Sequence, residues 1–167
     1  MAPRVERPAM SEYGVPETLE GALDWSWARE RLRTWRNFWI VTVSVSGRPH
    51  ALPVWGVWLD DPDQFWFSCA RSARKARNLA ENSHVVVAGE DTVEVVSIEG
   101  VARRATVAES TRAIEAYLAK YWDDPSQLPE MQAFLESNAM FFVDPERAFG
   151  VIEREEDFAA RATRWVW

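Results

Sequence analysis

A dense group of cations follows a short apolar stretch, and it is the part of the sequence best suited to chemistry. Residues 65–69 (FWFSC) are typical of a buried strand that ends in small polar residues. Four cations then fall within seven residues: Arg71, Arg74, Lys75 and Arg77. Ser72 stands at the N-cap position of a helix predicted over residues 73–81. Because the N-terminus of a helix attracts anions, the stretch predicts a site for a small anion such as a phosphate.

A solvated basic helix face is the alternative interpretation of the same residues, since runs of charge commonly lie on the surface. Against it, cations in the first turn oppose the helix dipole, and an external anion would relieve that conflict. The glycine-rich phosphate loop and the dinucleotide-binding glycine pattern occur nowhere in the sequence. The expected anion site is therefore neither a glycine-rich phosphate loop nor a dinucleotide-binding site.

Composition limits the kinds of ligand. The chain has 167 residues, enough for one domain with a core, and a net charge of −7, which argues against nucleic acid as a partner. A local basic patch in an acidic protein suits a small anionic molecule. Ten tryptophans require burial, an interface or a flat ligand on which to stack.

Cysteine and histidine are scarce. Cys69 is the single cysteine, so we expect no internal disulfide and a reducing, cytoplasmic location, and we interpret the residue as a small buried filler. His50 and His84 lie far apart in the sequence, which predicts no metal site. We find no signal peptide and no apolar run long enough to span a membrane, so no membrane partner is expected.

Hairpins dominate the predicted elements. Residues 1–17 are predicted to form a flexible N-terminal arm, and residues 18–167 a single domain. Alternating β-branched and aromatic residues predict strands over 39–46, 49–60, 64–69, 84–89, 93–105, 139–143, 148–153 and 162–167. Helices are predicted over 19–37, 73–81, 109–122 and 129–137. Without regular strand–helix alternation, the best class is a mainly β fold with inserted helices, a small antiparallel barrel.

Several motifs, in this order and spacing, resemble those of the pyridoxamine 5′-phosphate oxidase-like flavoproteins, which share the FMN-binding split β-barrel. The resemblance covers residues 25–167 and is carried by residues 39–43, 47–50, 53–58, 67–68, 72–79, 98–100 and 162–165. It implies a homodimer with two cofactor sites at the subunit interface. It also implies that the cofactor is FMN or the related 8-hydroxy-5-deazaflavin coenzyme.

The resemblance also implies which residues form the cofactor site. The second strand would run beside the flavin ring through His50, Leu52, Pro53, Val54 and Trp55. Ser68 and Cys69 would face the ribityl chain and phosphate, and Ser72, Arg74 and Lys75 would hold the phosphate. Arg164 and Trp165 would reach the flavin of the other subunit. Trp55 and Trp58 lie three apart on one strand, so their side chains face opposite sides and at most one lines the flavin.

The C-terminus departs from the family pattern. The true oxidase has an Arg-x-His element that grips the phosphate of the vitamin, whereas this chain has no histidine after His84. We therefore expect no oxidation of pyridoxamine phosphate, and no side chain is identified as a catalytic acid or base. The acidic tail of the deazaflavin would require a cationic groove, for which Arg29, Arg31, Arg33 and Arg36 are candidates.

Two functions from different classes remain open. The first is an FMN- or deazaflavin-dependent oxidoreductase that acts on an unknown small planar substrate. The alternative is a non-catalytic split-barrel protein that binds or sequesters flavin or haem.

Overall fold

A closed antiparallel barrel forms the centre of the molecule. The computed structural model describes residues 2–167. Its strands are β1 (Arg4–Glu6), β2 (Asn37–Val43), β3 (Pro49–Asp60), β4 (Asp63–Cys69), β5 (His84–Gly89), β6 (Glu94–Arg104), β7 (Ala139–Ile152) and β8 (Thr163–Val166). The order β7-β4-β3-β2-β5-β6 closes through pairing of β6 with β7, while β8 and β1 extend the sheet outside the barrel. The mainly β class with inserted helices is confirmed.

Among residues 2–167, five α-helices lie around the barrel. They are α1 (Trp25–Thr34), α2 (Arg74–Glu81), α3 (Val107–Tyr121), α4 (Leu128–Ser137) and α5 (Phe158–Arg161), with short 3-10 turns at Ser11–Tyr13 and Pro125–Gln127. The predicted first helix is shorter at both ends. Gly21 has φ +80°, a left-handed conformation that a helix does not contain, and the Asp24 side chain caps the true start by accepting from Ser26 N.

One long strand replaces two predicted ones near the C-terminus. The turn expected over residues 144–147 is instead the middle of β7, with Pro145 opposite Gly100. A bulge between Glu99 and Gly100 absorbs the irregularity at the proline. A Cβ on Gly100 would lie 2.3 Å from Asp144 O, so only glycine permits the two strands to approach this closely.

The N-terminal residues also differ from the flexible arm predicted over residues 1–17. β1 pairs with β8, and the Arg7 guanidinium beyond it donates to four backbone carbonyls. The division of the chain at residues 17 and 18 stays a prediction.

Two apolar clusters stabilise the fold. The larger fills the barrel with fully buried side chains such as Phe38, Phe65 and Ile98. The smaller lies outside the barrel, where Tyr117 on α3 packs against Trp66 on β4. Between residues 2 and 167, no helix is both long and apolar enough to cross a membrane.

Candidate functional site

The N-terminus of α2 carries cations without a side-chain cap. The helix begins at Arg74, its N-cap position is Ala73, and no side chain accepts from its first N–H groups. The predicted cap at Ser72 is therefore wrong: Ser72 lies one residue too early, and its carbonyl accepts from Arg77 Nη1 at 2.6 Å. Uncapped N–H groups beside two cations leave a strongly positive helix end.

The hairpin between β2 and β3 faces this helix end. Together they enclose a cavity of about 250 Å³ lined by Ser44, Ser46, Arg48, Pro49, His50, Arg74, Arg77 and Asn78. We call the five cationic or imidazole side chains Arg48, His50, Arg74, Lys75 and Arg77 the cationic clamp. Within residues 2–167, no carboxylate lines this cavity or pairs with any clamp residue.

His50 is held neutral in the clamp. Removal from water and the positive charges of Arg74 and Lys75 lower its pKa from the ordinary value of 6.5. Its Nδ1 is buried and has no hydrogen-bond partner among the described residues. A buried nitrogen without a partner is costly, so a ligand oxygen at this position would compensate it.

Buried polar contacts hold α2 against the barrel. The amide Nδ2 of Asn78 donates to Thr42 Oγ1 at 2.9 Å, and both residues are buried. Lys75 is only 8% exposed, so its stem is fixed along the same face while its charge stays near His50. The clamp is thereby positioned before any ligand arrives.

Half of β3 has an open edge. Residues 49–55 pair with β2 on one side, while β4 pairs only with residues 56–60. The side chains of Leu52 and Trp55 are 47% and 42% exposed, Pro53 is exposed, and Val54 is partly buried against the core. Apart from Trp55 O, which accepts from Tyr117 Oη, backbone groups along such an edge can bond a ligand, as the sequence-based interpretation of this strand requires.

An aromatic slot lies at one end of this edge. It has a volume of about 350 Å³ and is lined by Trp55, Ser68, Cys69, Ala70, Tyr117, Trp122, Phe134, Leu135 and Asn138. Trp55 stacks on Tyr121 with ring centroids 4.8 Å apart, which leaves its other face available. Trp58, three residues later, is buried in the barrel, so the prediction of opposite faces is confirmed.

Polar atoms in the slot are few. Ser68 Oγ is buried without a partner in residues 2–167, and Tyr117 Oη donates to Trp55 O at 2.6 Å. Burial raises the pKa of Tyr117 well above its ordinary value and also raises that of Cys69, against the lowering effect of Lys75 and Arg104. Both groups stay protonated at neutral pH, so the slot offers hydrogen bonds and flat surfaces.

Within one chain, Arg164 and Trp165 lie away from the clamp and the slot. Cys69 opposes Ala139 at one end of β7, whereas Arg164 opposes Phe149 ten positions further on, about 30 Å along the strand. Arg164 pairs with Glu6. Trp165 is fully buried and packs edge to face on Trp25. The contact of Arg164 and Trp165 with the flavin of the other subunit stays a prediction.

Sequence reasoning missed the contributions that arrive from distant elements. Asn78 lay in a recognised helix, but its partner Thr42 is 36 residues away. Tyr117, Trp122 and Phe134 come from α3 and the segment after it, and no local pattern linked them to β4. Arg48 lay in one motif of the resemblance, residues 47–50, but was not identified as a site residue.

The family model described as pyridoxamine 5′-phosphate oxidase matches residues 27–143. The chain belongs to this family. The match covers α1 from Trp27 onward, β2 to β6, the first five residues of β7, the cationic clamp and the aromatic slot. No curated protein matches the chain.

Solved structures show the same fold in the family at low identity. A conserved hypothetical protein from Mycobacterium tuberculosis has a TM-score of 0.71 at 18% identity, covering 84% of this chain and 91% of that one. HutZ, the haem storage protein from Vibrio cholerae, has a TM-score of 0.59 at 19% identity, covering 78% and 95%. An F420 reductase has a TM-score of 0.54 at 17% identity, covering 71% and 91%.

Proposed function

We propose that the protein is an oxidoreductase that uses FMN or the deazaflavin coenzyme (F420) on a small planar substrate. The observation that carries the proposal is the cationic clamp at the uncapped start of α2. It combines free N–H groups, Arg74, Lys75 and the unpartnered Nδ1 of His50, and no carboxylate of residues 2–167 neutralises it. These groups fit a phosphate dianion.

The clamp and the open edge of β3 suit the two ends of such a cofactor. The phosphate would lie at Arg74 and Lys75, and the ring would lie along residues 49–55, where backbone groups face no strand. When bound, the cofactor supplies the hydride chemistry. Ser68 Oγ lines the slot and is buried without a partner within residues 2–167, so it would bond the polar chain between ring and phosphate.

The aromatic slot supplies the second surface. Trp55, Trp122 and Phe134 would stack a planar substrate and exclude water from it. Tyr117 keeps its proton and holds the Trp55 backbone, so it positions the slot.

The alternative is a protein that binds flavin or haem without turnover. It is favoured by the scarcity of proton-transfer groups in the slot: the two titratable side chains that line it, Cys69 and Tyr117, both have raised pKa values. Turnover separates the two functions. An enzyme's bound flavin is reduced by a nicotinamide or deazaflavin donor and reoxidised by an acceptor, whereas the flavin of a storage protein does not respond to donors.

The clamp can be tested by substitution. Arg74→Ala and Lys75→Met should each weaken FMN binding roughly tenfold to a hundredfold, because each removes a charge-assisted bond of about 1.5–3 kcal/mol. The apo proteins should melt at the wild-type temperature or slightly above it, since each variant removes a like charge from a positive helix end. Fluorescence titration with FMN and the deazaflavin coenzyme measures the affinity.

Arg147→Ala is the matched control. Arg147 is a half-exposed arginine in the second half of β7, and it pairs with Glu99 on β6. The affinity of the Arg147→Ala variant for FMN should equal that of the wild type. If Arg74→Ala and Lys75→Met also bind as the wild type does, the phosphate site lies elsewhere and the basic helix face is merely solvated.

Pyridoxamine phosphate should not be a substrate. The chain lacks the Arg-x-His element, and Arg164 near its end already pairs with Glu6. A steady-state assay of the FMN-loaded protein should give no kcat/KM in the ordinary enzyme range. A value of about 10⁴ M⁻¹s⁻¹ or more would place the chain with the true oxidases.

A further inference from the structure

The aromatic slot carries no formal charge. Its walls are aromatic, aliphatic and small polar side chains, and none of the residues that line it in the described chain is acidic or basic. Its volume of about 350 Å³ is enough for one small ligand. Because the phosphate-binding groups lie in the cationic clamp, the slot is suited to a ligand of a different kind.

Negative charge is disfavoured in the slot. Burial raises the pKa of the Cys69 thiol, although Lys75 and Arg104 act to lower it. Burial also raises the pKa of Tyr117 well above its ordinary value. At both positions the loss of water disfavours the anion, and at Cys69 it outweighs two cations. A carboxylate or phosphate on a ligand would meet the same penalty.

Positive charge is disfavoured as well. Within residues 2–167, no carboxylate lines the slot, so a ligand cation would find no counter-charge there. The guanidinium carbon of Arg36 lies 5.2 Å from the centroid of the Trp55 ring, at one wall of the slot. Arg36 would therefore repel a cation that stacks on Trp55.

The other candidates for a cationic groove are ion-paired. Arg29 and Arg33 both pair with Asp60, and Arg31 pairs with Glu94. Three of the four arginines predicted to form that groove are thus neutralised by acids of the barrel, and none of the four lines the slot.

One polar side chain in the slot is left for a ligand. Ser68 Oγ serves the cofactor in the proposed function. Asn138, the residue directly after α4, also lines the slot, and its side-chain amide makes no hydrogen bond within residues 2–167. Since an amide both donates and accepts, it can bond a carbonyl, hydroxyl or amide group at the edge of an uncharged ring.

The end of α4 forms a complete wall of the slot through Phe134, Leu135 and Asn138. Leu135 is buried and anchors the helix, whereas the side chain of Phe134 is 53% exposed. Across the slot, the rings of Trp55 and Trp122 meet edge to face with centroids 5.7 Å apart. A flat ring bound between these walls would remove apolar surface of Phe134 from water.

We propose that the slot selects an uncharged planar aromatic ligand, and that Phe134 and Asn138 at the end of α4 determine this selectivity. The proposal rests on the proposed function and names the substrate class of the same site: a flat ring without an ionised group, with one hydrogen-bonding group at its edge. The ring stacks against Phe134, and the edge group bonds the Asn138 amide. Phosphorylated and carboxylated compounds are excluded from the slot.

The test uses three ligands of one shape and different charge: naphthamide, naphthoate and naphthylmethylamine. Calorimetric titration of the full-length protein at neutral pH should show binding of naphthamide. Each charged analogue should bind at least roughly tenfold more weakly, because its ionised group loses water without gaining a partner. The proposal is overturned if naphthoate binds as tightly as naphthamide or more tightly, since the cations near Cys69 would then decide the selectivity.

Two variants locate the ligand. Asn138→Leu should weaken binding of naphthamide roughly tenfold, while affinity for methylnaphthalene, which has no polar group, stays unchanged. Phe134→Ala should weaken binding of both compounds severalfold. Tyr13→Ala is the control, because Tyr13 is also an exposed aromatic residue but lies on the N-terminal segment against Phe158, and it should leave every affinity unchanged. Wild-type affinity in both Asn138→Leu and Phe134→Ala would show that the ligand binds outside the slot.

Titration with and without FMN separates this proposal from the proposed function. If the protein binds no flavin but prefers naphthamide to naphthoate, and Asn138→Leu weakens that binding, the proposed function fails and the selectivity of the slot stands. If FMN binds and the FMN-loaded protein does not bind naphthamide, the selectivity of the slot fails and flavin binding stands.

Discussion

At the residue scale, the site is defined by side chains that lack partners in the part of the chain that the structure describes. Several arginines outside the clamp pair with a carboxylate, as Arg31 does with Glu94 and Arg147 with Glu99. Within residues 2–167 the clamp arginines do not, and His50 in the clamp and Ser68 in the slot each have a buried polar atom without a hydrogen bond there. Buried unsatisfied groups are costly in a folded protein, so a ligand that bonds these two atoms would compensate them.

Lys120 gives a prediction about stability and pH. Its Nζ donates to Gly56 O at 2.9 Å, and burial lowers its pKa from 10.5 to about 8, with Glu90 acting in the opposite direction and Arg36 adding to the lowering. The folded protein therefore holds this proton less tightly than the unfolded chain does. Between about pH 8 and the ordinary lysine value the unfolded state binds more protons, so stability rises with pH.

The prediction is tested against Lys120→Met, which keeps the apolar stem, while Gly56 O retains its bond from Tyr121. Urea denaturation from about pH 7 to about pH 9.5 should show wild type gaining stability relative to the variant as the pH rises. Burial raises the pKa of Tyr121 to about 12, so this neighbour stays protonated in the folded protein over that range. Parallel pH curves would mean that Lys120 is solvated and titrates normally.

At the element scale, the sequence was most informative where a pattern is local. β3 and β5 have the bounds that alternation and turn residues predicted, because the side chains of a half-buried strand alternate over a few residues. Residues 144–147 were misinterpreted as a turn, because the partner that keeps β7 extended there is β6, some forty residues earlier. The site divides in the same way: the cations after β4 fall within seven residues of one another, whereas Arg48 and His50 join them only through the folded barrel.

β1 is another element that the sequence did not predict, and Arg7 explains how it is held. Nε of Arg7 donates to Thr18 O at 2.7 Å, and the rest of its guanidinium bonds Glu20 O, Ala160 O and Ala162 O. One side chain thus ties the N-terminal residues to the segment before α1 and to the start of β8. A three-residue strand is too short to be stable by itself, so it depends on such contacts.

Arg7→Ala should therefore destabilise the protein by about 2 kcal/mol. A hydrogen bond from a charged donor contributes about 1.5–3 kcal/mol, and the contributions of four such bonds from one guanidinium do not add up. Arg7→Lys should recover only part of the loss, because an ammonium cannot reproduce the planar fork. The control is Arg4→Ala, which removes an exposed ion pair with Glu6 and should cost well under 1 kcal/mol. Equal unfolding free energies for Arg7→Ala and Arg4→Ala, measured in urea, would show that the Arg7 contacts contribute nothing.

At the scale of the whole molecule, the remaining feature is an exposed apolar surface beside the site. Trp39 is 47% exposed and opposes Pro53 across the β2–β3 pair, with Leu52 and Trp55 on the same exposed stretch of β3. A large aromatic surface next to an open strand edge is typical of an interface. A second copy of the chain, related by a two-fold axis, would cover it and place a second wall over the cofactor.

We therefore predict a homodimer, with cofactor binding dependent on dimerisation. Light scattering of the wild type at micromolar concentration should give twice the mass of 19.2 kDa. Trp39→Arg should give a monomer. The fold should stay intact, because Trp39 is half exposed and makes no buried hydrogen bond. The variant should bind FMN more weakly although its clamp residues are unchanged. The control is Tyr13→Arg, at an aromatic residue that is 66% exposed and lies on the N-terminal segment against Phe158; it should remain a dimer. A monomeric wild type that binds FMN tightly would show that one chain completes the site and that the exposed tryptophans serve another contact.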